Sequence, residues 1–145
     1  MARKVKDVMT RNVDVARPEE PVREIALRMA KGGFGFMPVV DGKKLIGAIT
    51  DRDLTIRVLA AGKDPSTPVG EVLTREVSFV RLDEDVNHVL AKMGGEQLHR
   101  LPVLDGMDEL VGVVSLGDVT TEVRAKSAGA ALRDICAPEG SKSFS

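Results

Sequence analysis

An internal repeat constrains this chain more than any other feature. Val5-Lys-Asp-Val-Met-Thr-Arg-Asn-Val13 returns 64 residues later as Val69-Gly-Glu-Val-Leu-Thr-Arg-Glu-Val77. Met37-Pro-Val-Val-Asp-Gly42 returns as Leu101-Pro-Val-Leu-Asp-Gly106 at the same offset. One extra residue near Asp108 then moves the offset to 65. From Val5 to Val58, 18 of 54 aligned positions are identical, where chance at ordinary residue usage gives well under about a tenth. The unit is longer than solenoid repeats of roughly 20–50 residues, and there are only two copies. The chain is therefore read as a pseudo-twofold pair and not an array.

Each copy carries the same pattern of elements. A short strand is expected near Val13–Val15, and near Val77–Val80 in the second copy. A helix follows, because Val22, Ile25, Ala26 and Met29 recur at helical spacing, as do Val86, Val89, Leu90 and Met93. Pro21 suits the first turn, and Gly32-Gly33 and Gly94-Gly95 are expected to end these helices. A hairpin comes next, with Asp41-Gly42 as its two-residue turn. A second helix is expected from about Asp53 to Ala61, stopped by Gly62. The order β-α-β-β-α, taken twice, defines an α+β fold with repeats at 5–62 and 69–126. The segment Gly62–Pro68 is the linker. Residues 127–145 form a tail, with a short helical stretch at Ala128–Ile135 and a disordered end.

Composition narrows the function classes. Lys and Arg number 21 against 22 Asp and Glu, so the net charge of -1 argues against a nucleic-acid binder. Trp and Tyr are absent, which removes large platforms for stacking bases. The apolar runs are too short to span a membrane, and no apolar stretch follows the basic N-terminus as a secretory signal requires. The one cysteine, Cys136, has no partner for an internal disulfide, and a cytoplasmic location is expected. His88 and His99 form no metal pattern. Nothing resembles a nucleophile elbow, a P-loop or a catalytic triad, so no catalytic residue is assigned.

The pattern G-x-x-[ST]-x-x-D closes a strand and opens a helix in both copies, as Gly47…Thr50…Asp53 and Gly112…Ser115…Asp118. Its structural meaning is a capping box: the hydroxyl caps the helix, and the acid returns to the cap residue. The same residues suit a ligand. A helix N-terminus favours phosphate, a hydroxyl can donate to it, and a neighbouring carboxylate can accept both hydroxyls of a ribose. All three residue types survive in both copies while two-thirds of the aligned positions differ, which favours a ligand. His99 and Arg100 precede the hairpin strand of the second copy and are phosphate candidates, or a solvated basic pair. The first copy has Gly35-Phe36 there, so the two sites are expected to differ in phosphate affinity. Arg52 is the first copy's candidate, unless it only pairs with Asp51 and Asp53.

These residues together resemble a tandem pair of CBS (cystathionine-β-synthase) domains, a Bateman module. The likeness rests on Val8-Met9-Thr10, Met37–Gly42, Gly47–Asp53 and their second-copy counterparts, including Leu98-His-Arg-Leu-Pro-Val103, and covers about Val5 to Arg124. It implies adenine-nucleotide binding in clefts between the copies. By this resemblance Asp53 and Asp118 hold ribose hydroxyls, and Thr50 and Ser115 approach phosphate. Thr10, Val13, Phe34 and Pro38 line one adenine pocket; Thr74, Val77, Leu98 and Pro102 line the other. The expectation is a non-enzymatic regulatory module for AMP, ADP or ATP, without a cofactor, read by an unidentified partner protein. The alternatives are a ligand-free interaction module and a binder of another adenosyl ligand such as S-adenosylmethionine. CBS pairs also occur inside enzymes such as inosine-monophosphate dehydrogenase, but no catalytic domain accompanies this pair. Family modules commonly dimerise through their helices. Leu54, Ile56, Val58 and Leu59, with Val119 and Val123, supply an apolar stripe for a homodimer or for the core.

Overall fold

The repeat boundaries and the packed units differ. A computed structural model describes residues 3–124; the tail at 127–145, with its expected helix and Cys136, lies outside the described residues. Within them, residues 14–77 and 108–110 form one unit, and residues 3–13, 78–107 and 111–124 form the other. Each is named here for the copy that supplies most of it. The opening of each copy thus packs in the unit of the other. The boundaries 5–62 and 69–126 mark the sequence repeat and not the compact units.

In chain order the elements are α1 (Val5–Val8), α2 (Val22–Gly32), β1 (Phe36–Asp41), β2 (Lys44–Thr50), α3 (Asp51–Asp53), β3 (Val80–Arg81), α4 (Val86–Glu96), β4 (Arg100–Leu104), β5 (Leu110–Ser115) and α5 (Leu116–Arg124). A π-helical stretch, Leu54–Leu59, continues α3, and a 3-10 turn covers Val69–Glu71. The class is α+β, as the alternation of helical and strand periodicity requires.

In the first-copy unit, α2 buries Val22, Ile25 and Met29, three to four residues apart, as one helix face demands. Pro21 precedes the first turn, and Gly33 closes the helix in the left-handed region (φ 72°), its N–H donating to the Met29 carbonyl at 2.8 Å. β1 and β2 pair antiparallel over a core of Met37, Val39 and Ile49. Each such side chain contributes about 1.5–3 kcal/mol on burial. Asp41 pairs with Lys44, so the turn is Gly42-Lys43, one residue later than the sequence suggests. The register shift between Val39 and Val40 sets that pairing, and Gly42 takes the positive φ of 67°. The expected strand at Val13–Val15 shrinks to one parallel bridge, Ala16 to Val39. Its neighbour is diverted, because the Val15 carbonyl accepts from the Arg28 guanidinium at 3.0 Å.

In the second-copy unit, β3, β4 and β5 form a sheet in that order, with β3 parallel to β4. The expected strand at Val77–Val80 survives only as Val80–Arg81. α4 buries Val86, Val89, Leu90 and Met93, and Asp85 caps it by accepting from the Asn87 N–H at 2.9 Å. Gly94-Gly95 does not end this helix. It runs to Glu96 and closes on Gln97 in the left-handed conformation (φ 55°), whose N–H reaches the Met93 carbonyl. A cap there fits the hydrogen-bonding frame of the last turn, while glycine inside a helix costs only about 1 kcal/mol. No helix among the described residues is long and apolar enough to cross a membrane.

Candidate functional site

Two helix starts, one per unit, carry the residues that the sequence singles out. In the first-copy unit, β2 ends at Thr50, whose extended backbone (φ -119°, ψ 165°) turns the chain into α3. Thr50 Oγ1 accepts from the Asp53 N–H at 3.1 Å, and the Thr50 N–H donates to Asp53 Oδ2 at 3.0 Å. In the second-copy unit, Ser115 Oγ accepts from the Asp118 N–H at 3.0 Å, and the Ser115 N–H donates to Asp118 Oδ2 at 3.1 Å. Both motifs are therefore capping boxes. This does not consume them. Each hydroxyl keeps its own proton to donate, and each carboxylate keeps Oδ1 as an acceptor away from the cap.

The glycine of each motif has a distinct task. A Cβ on Gly47 would lie 2.4 Å from the Thr74 carbonyl oxygen, and one on Gly112 would lie 2.6 Å from the Thr10 carbonyl oxygen. Only glycine admits a backbone so close. Beside them, Ala48 and Thr74 exchange two backbone hydrogen bonds of 2.9 Å, and Thr10 and Val113 exchange bonds of 2.9 and 3.0 Å. These pairs fasten each copy's opening to the other copy's motif strand. The compact units divide the expected adenine-pocket residues in another way. Thr10 and Val13 belong to the unit of Ser115, Asp118, Leu98 and Pro102, while Thr74 and Val77 belong to that of Thr50, Asp53, Phe34 and Pro38. Pro38 and Pro102 are buried; Phe34, Leu98, Thr74, Val13 and Val77 are half-buried; Thr10 is exposed.

The two acids have different surroundings. Asp53, 13% exposed, faces the Arg57 guanidinium, with Nε 3.7 Å from Oδ1. Thr74 Oγ1 lies 3.4 Å from both carboxylate oxygens. Arg57 also donates to the carbonyls of Val72 and Leu73 at 3.3 and 3.1 Å, tying the acid to the segment that carries Thr74. The sequence reading passed over Arg57, although its place four residues after Asp53 is a recognisable ion-pair spacing. In the second copy Glu122 stands at the equivalent position and pairs with Arg3 at 3.3 Å. Asp118 Oδ1 receives no protein donor among the described residues.

Strand start and helix start meet in both units. The Asp51 N–H donates to the Gly35 carbonyl at 3.0 Å, and the Leu116 N–H donates to the His99 carbonyl at 2.7 Å. His99 and Arg100 therefore stand, exposed, beside the first turn of α5. Arg52 is exposed on the first turn of α3. A shallow cavity of about 360 Å³ between α2 and the α3 helix is lined by Ala26, Met29, Ala30, Phe34, Asp51, Leu54 and Thr55. Of the expected adenine-pocket residues it includes only Phe34. Among the described residues no cluster of three or more His, Cys, Asp or Glu side chains suits a metal ion.

The helix stripe divides between the copies. Ile56 and Leu59 are 50% and 78% exposed. Val58, Val119 and Val123 are buried, so the second-copy part of the stripe belongs to the core.

A sequence model of the CBS domain matches residues 5–60 and 69–125. The chain belongs to the CBS domain family and carries two tandem CBS domains. It is similar to the CBS domain-containing protein YhcV of Bacillus subtilis, 37% identical over 132 residues, which cover 90% of this chain and 94% of that one. Among solved structures, Hypoxic Response Protein I with two coordinated zinc ions superposes with a TM-score of 0.74 at 30% identity, covering 83% of this chain and 98% of that one. The CBS domain pair of protein MJ0100, in complex with 5-methylthioadenosine and S-adenosyl-L-methionine, gives 0.73 at 29% identity, covering 88% and 100%.

Proposed function

We propose that this chain is a non-enzymatic, cytoplasmic regulatory module that binds an adenine nucleotide, AMP, ADP or ATP, at its two helix starts. The observation that carries this reading is a hydroxyl and a carboxylate at a helix start, built twice, each at the end of a strand that bridges a threonine-bearing segment. Asp118 and Asp53 accept the ribose hydroxyls through the oxygen that the capping box leaves over. Ser115 and Thr50 donate to phosphate, helped by His99 and Arg100 in the second copy. The adenosyl ligands of the similar MJ0100 pair support the nucleoside part of this reading and keep an S-adenosyl ligand as the second one. Occupancy changes the packing of the chain, and a partner protein reads that change.

Calorimetric titration of the purified chain with AMP, ATP and S-adenosylmethionine tests the reading. Hydrogen bonds to a charged group contribute about 1.5–3 kcal/mol each, so Asp118→Ala weakens second-copy binding roughly ten- to several-hundredfold. The variant stays folded, because a cap contributes only about 1 kcal/mol. A folded Asp118→Ala protein with unchanged affinity overturns the assignment. Without Trp or Tyr the protein is nearly dark at 280 nm, so a co-purified nucleotide is visible near 260 nm.

A further inference from the structure

The two helix starts carry opposite charge at one equivalent place. Gly35 and His99 align in the repeat, and the carbonyl of each accepts from the first N–H of the following helix. In the second copy that helix begins with the uncharged Leu116-Gly117, and His99 and Arg100 are exposed residues at the strand start beside it. In the first copy the residue at the strand start has no side chain. The space above it is filled from the helix: a Cβ on Gly35 would lie 2.5 Å from Asp51 Oδ2 and 2.7 Å from its Cγ. The carboxylate of Asp51 thus lies over Gly35, where the His99 side chain begins in the other copy. Phe36 replaces Arg100. Of the first copy's nearby cations, Arg57 is engaged by Asp53 and two carbonyls, and Arg52 is exposed between two acids.

We infer that Asp51 is a specificity-determining residue that sets the charge of the ligand each helix start accepts. The first-copy site takes an uncharged or cationic adenosyl group, and the second-copy site takes a phosphorylated one. This rests on the adenosyl reading above and narrows it at one place: the nucleotide phosphate belongs to the second-copy helix start, and Thr50 at the first donates to a 5′ group that is not a phosphate. The ribose is held alike in both sites, by a capped carboxylate beside a hydroxyl. Discrimination falls on the 5′ substituent. A phosphate monoester carries a charge of about -1.5 to -2 at neutral pH, and a carboxylate within a few ångströms repels it while leaving a neutral nucleoside unaffected. Opposite the imidazole and guanidinium the same phosphate gains charge-assisted bonds. One fold thereby reports two ligands of different charge, and a twofold repeat need not be a redundant one.

The experiment titrates adenosine and AMP into three forms of the full chain: the unaltered protein, Asp118→Ala to silence the second-copy site, and Asp53→Ala to silence the first. With Asp118→Ala, adenosine binds more tightly than AMP by roughly tenfold; with Asp53→Ala the order reverses. Adding Asp51→Asn to the Asp118→Ala protein raises AMP affinity roughly tenfold and leaves adenosine within about twofold. Asp51→Leu, which copies the second-copy residue, does the same if the asparagine variant folds poorly. Raising the salt from low to physiological levels narrows the AMP difference. If adenosine and AMP both bind, but with the same ratio at both sites or with no response to Asp51, the charge assignment fails and the adenosyl reading stands. If neither ligand binds the unaltered protein, both fail.

Discussion

The first-copy and second-copy units share a frame and differ in what they expose. In both, a glycine lets a threonine-bearing segment pair closely alongside, a hydroxyl caps a helix, and an acid returns to the cap. Around that frame several charged and apolar surface positions differ. Asp53 is braced by Arg57 and Thr74, while Asp118 keeps one oxygen clear of protein donors among the described residues. The first copy turns Leu27, Ile56 and Leu59 outward, at 48%, 50% and 78% exposure; the second copy has Ala91, Thr121 and Arg124 at the aligned positions. Backbone constraints have held both copies to one geometry, while their surfaces have separated in charge and in exposed apolar side chains.

Adding a methyl group where a glycine lets two backbones meet is the largest test of that shared frame. Gly47→Ala puts a Cβ against the Thr74 carbonyl, and Gly112→Ala puts one against the Thr10 carbonyl and the Met9 sulfur, 3.0 Å away. A backbone cannot swing aside as a side-chain tip can. Overpacking of this kind costs about 1–3 kcal/mol, a fall in melting temperature of roughly 3–10 °C for a chain this size. Gly95→Ala provides the contrast, since nothing lies within 4 Å of the added Cβ in α4; there stability rises by about 0.5–1 kcal/mol. Thermal unfolding followed by circular dichroism reads all three. A neutral Gly47→Ala or Gly112→Ala would mean that the backbone contact is loose and the shared frame weaker than its hydrogen bonds indicate.

The difference between the helix faces predicts how the chain self-associates. Exposed Ile56 and Leu59 on the first copy, against the exposed Thr121 on the second, favour a homodimer through the first-copy helices. Replacing both Ile56 and Leu59 by Asp therefore yields a monomer, and Thr121→Asp leaves the dimer intact. Light scattering at micromolar concentration distinguishes the two. A monomeric unaltered protein overturns the dimer, and a dimer disrupted only by Thr121→Asp moves the interface to the other copy.

Much of this architecture is legible from residue types because it follows periodicity. Val22, Ile25 and Met29 mark the buried face of α2, and the paired [ST]-x-x-D motifs mark both helix starts. The exchange of openings is not legible. The contact between Thr10 and Val113 consists of backbone hydrogen bonds between distant residues, and such bonds leave no side-chain signature. Its one trace is the pair of glycines, Gly47 and Gly112, which the motif includes without giving their reason. A second missed feature had a signal in the repeat itself. Arg17 and Glu20 recur as Arg81 and Glu84. In each copy the arginine N–H donates to the glutamate at 2.8 Å, and the guanidinium reaches a hairpin carbonyl, Gly42 at 3.2 Å or Asp105 at 2.7 Å. Identity at these positions preserves a clamp between the strand end and the hairpin. In the sequence Asp51 is legible only as a neighbour of Arg52, because its own partner is an absence: only a backbone in three dimensions shows that a carboxylate fills the space above a glycine.

The smallest expected effect lies in the two arginines that stand nearest the helix starts. Arg100 opens β4, one residue beyond the carbonyl that receives the Leu116 N–H, and it is exposed. His99 and Arg100 are both exposed at the strand start beside the first turn of α5, and that turn begins with the uncharged Leu116-Gly117. Arg52 is also exposed, but Asp51 and Asp53 flank it in sequence, and their charges oppose whatever it attracts. Arg100→Ala therefore weakens ATP binding by roughly tenfold, and AMP binding less, because fewer phosphate charges remain to be neutralised. Arg52→Ala changes ATP affinity by less than about threefold, the scale of a screened surface interaction. Both are measured by titration at one fixed salt concentration. If Arg52→Ala costs more affinity than Arg100→Ala, the phosphates lie at the first-copy helix start, and the division of charge between the two copies runs in the opposite sense.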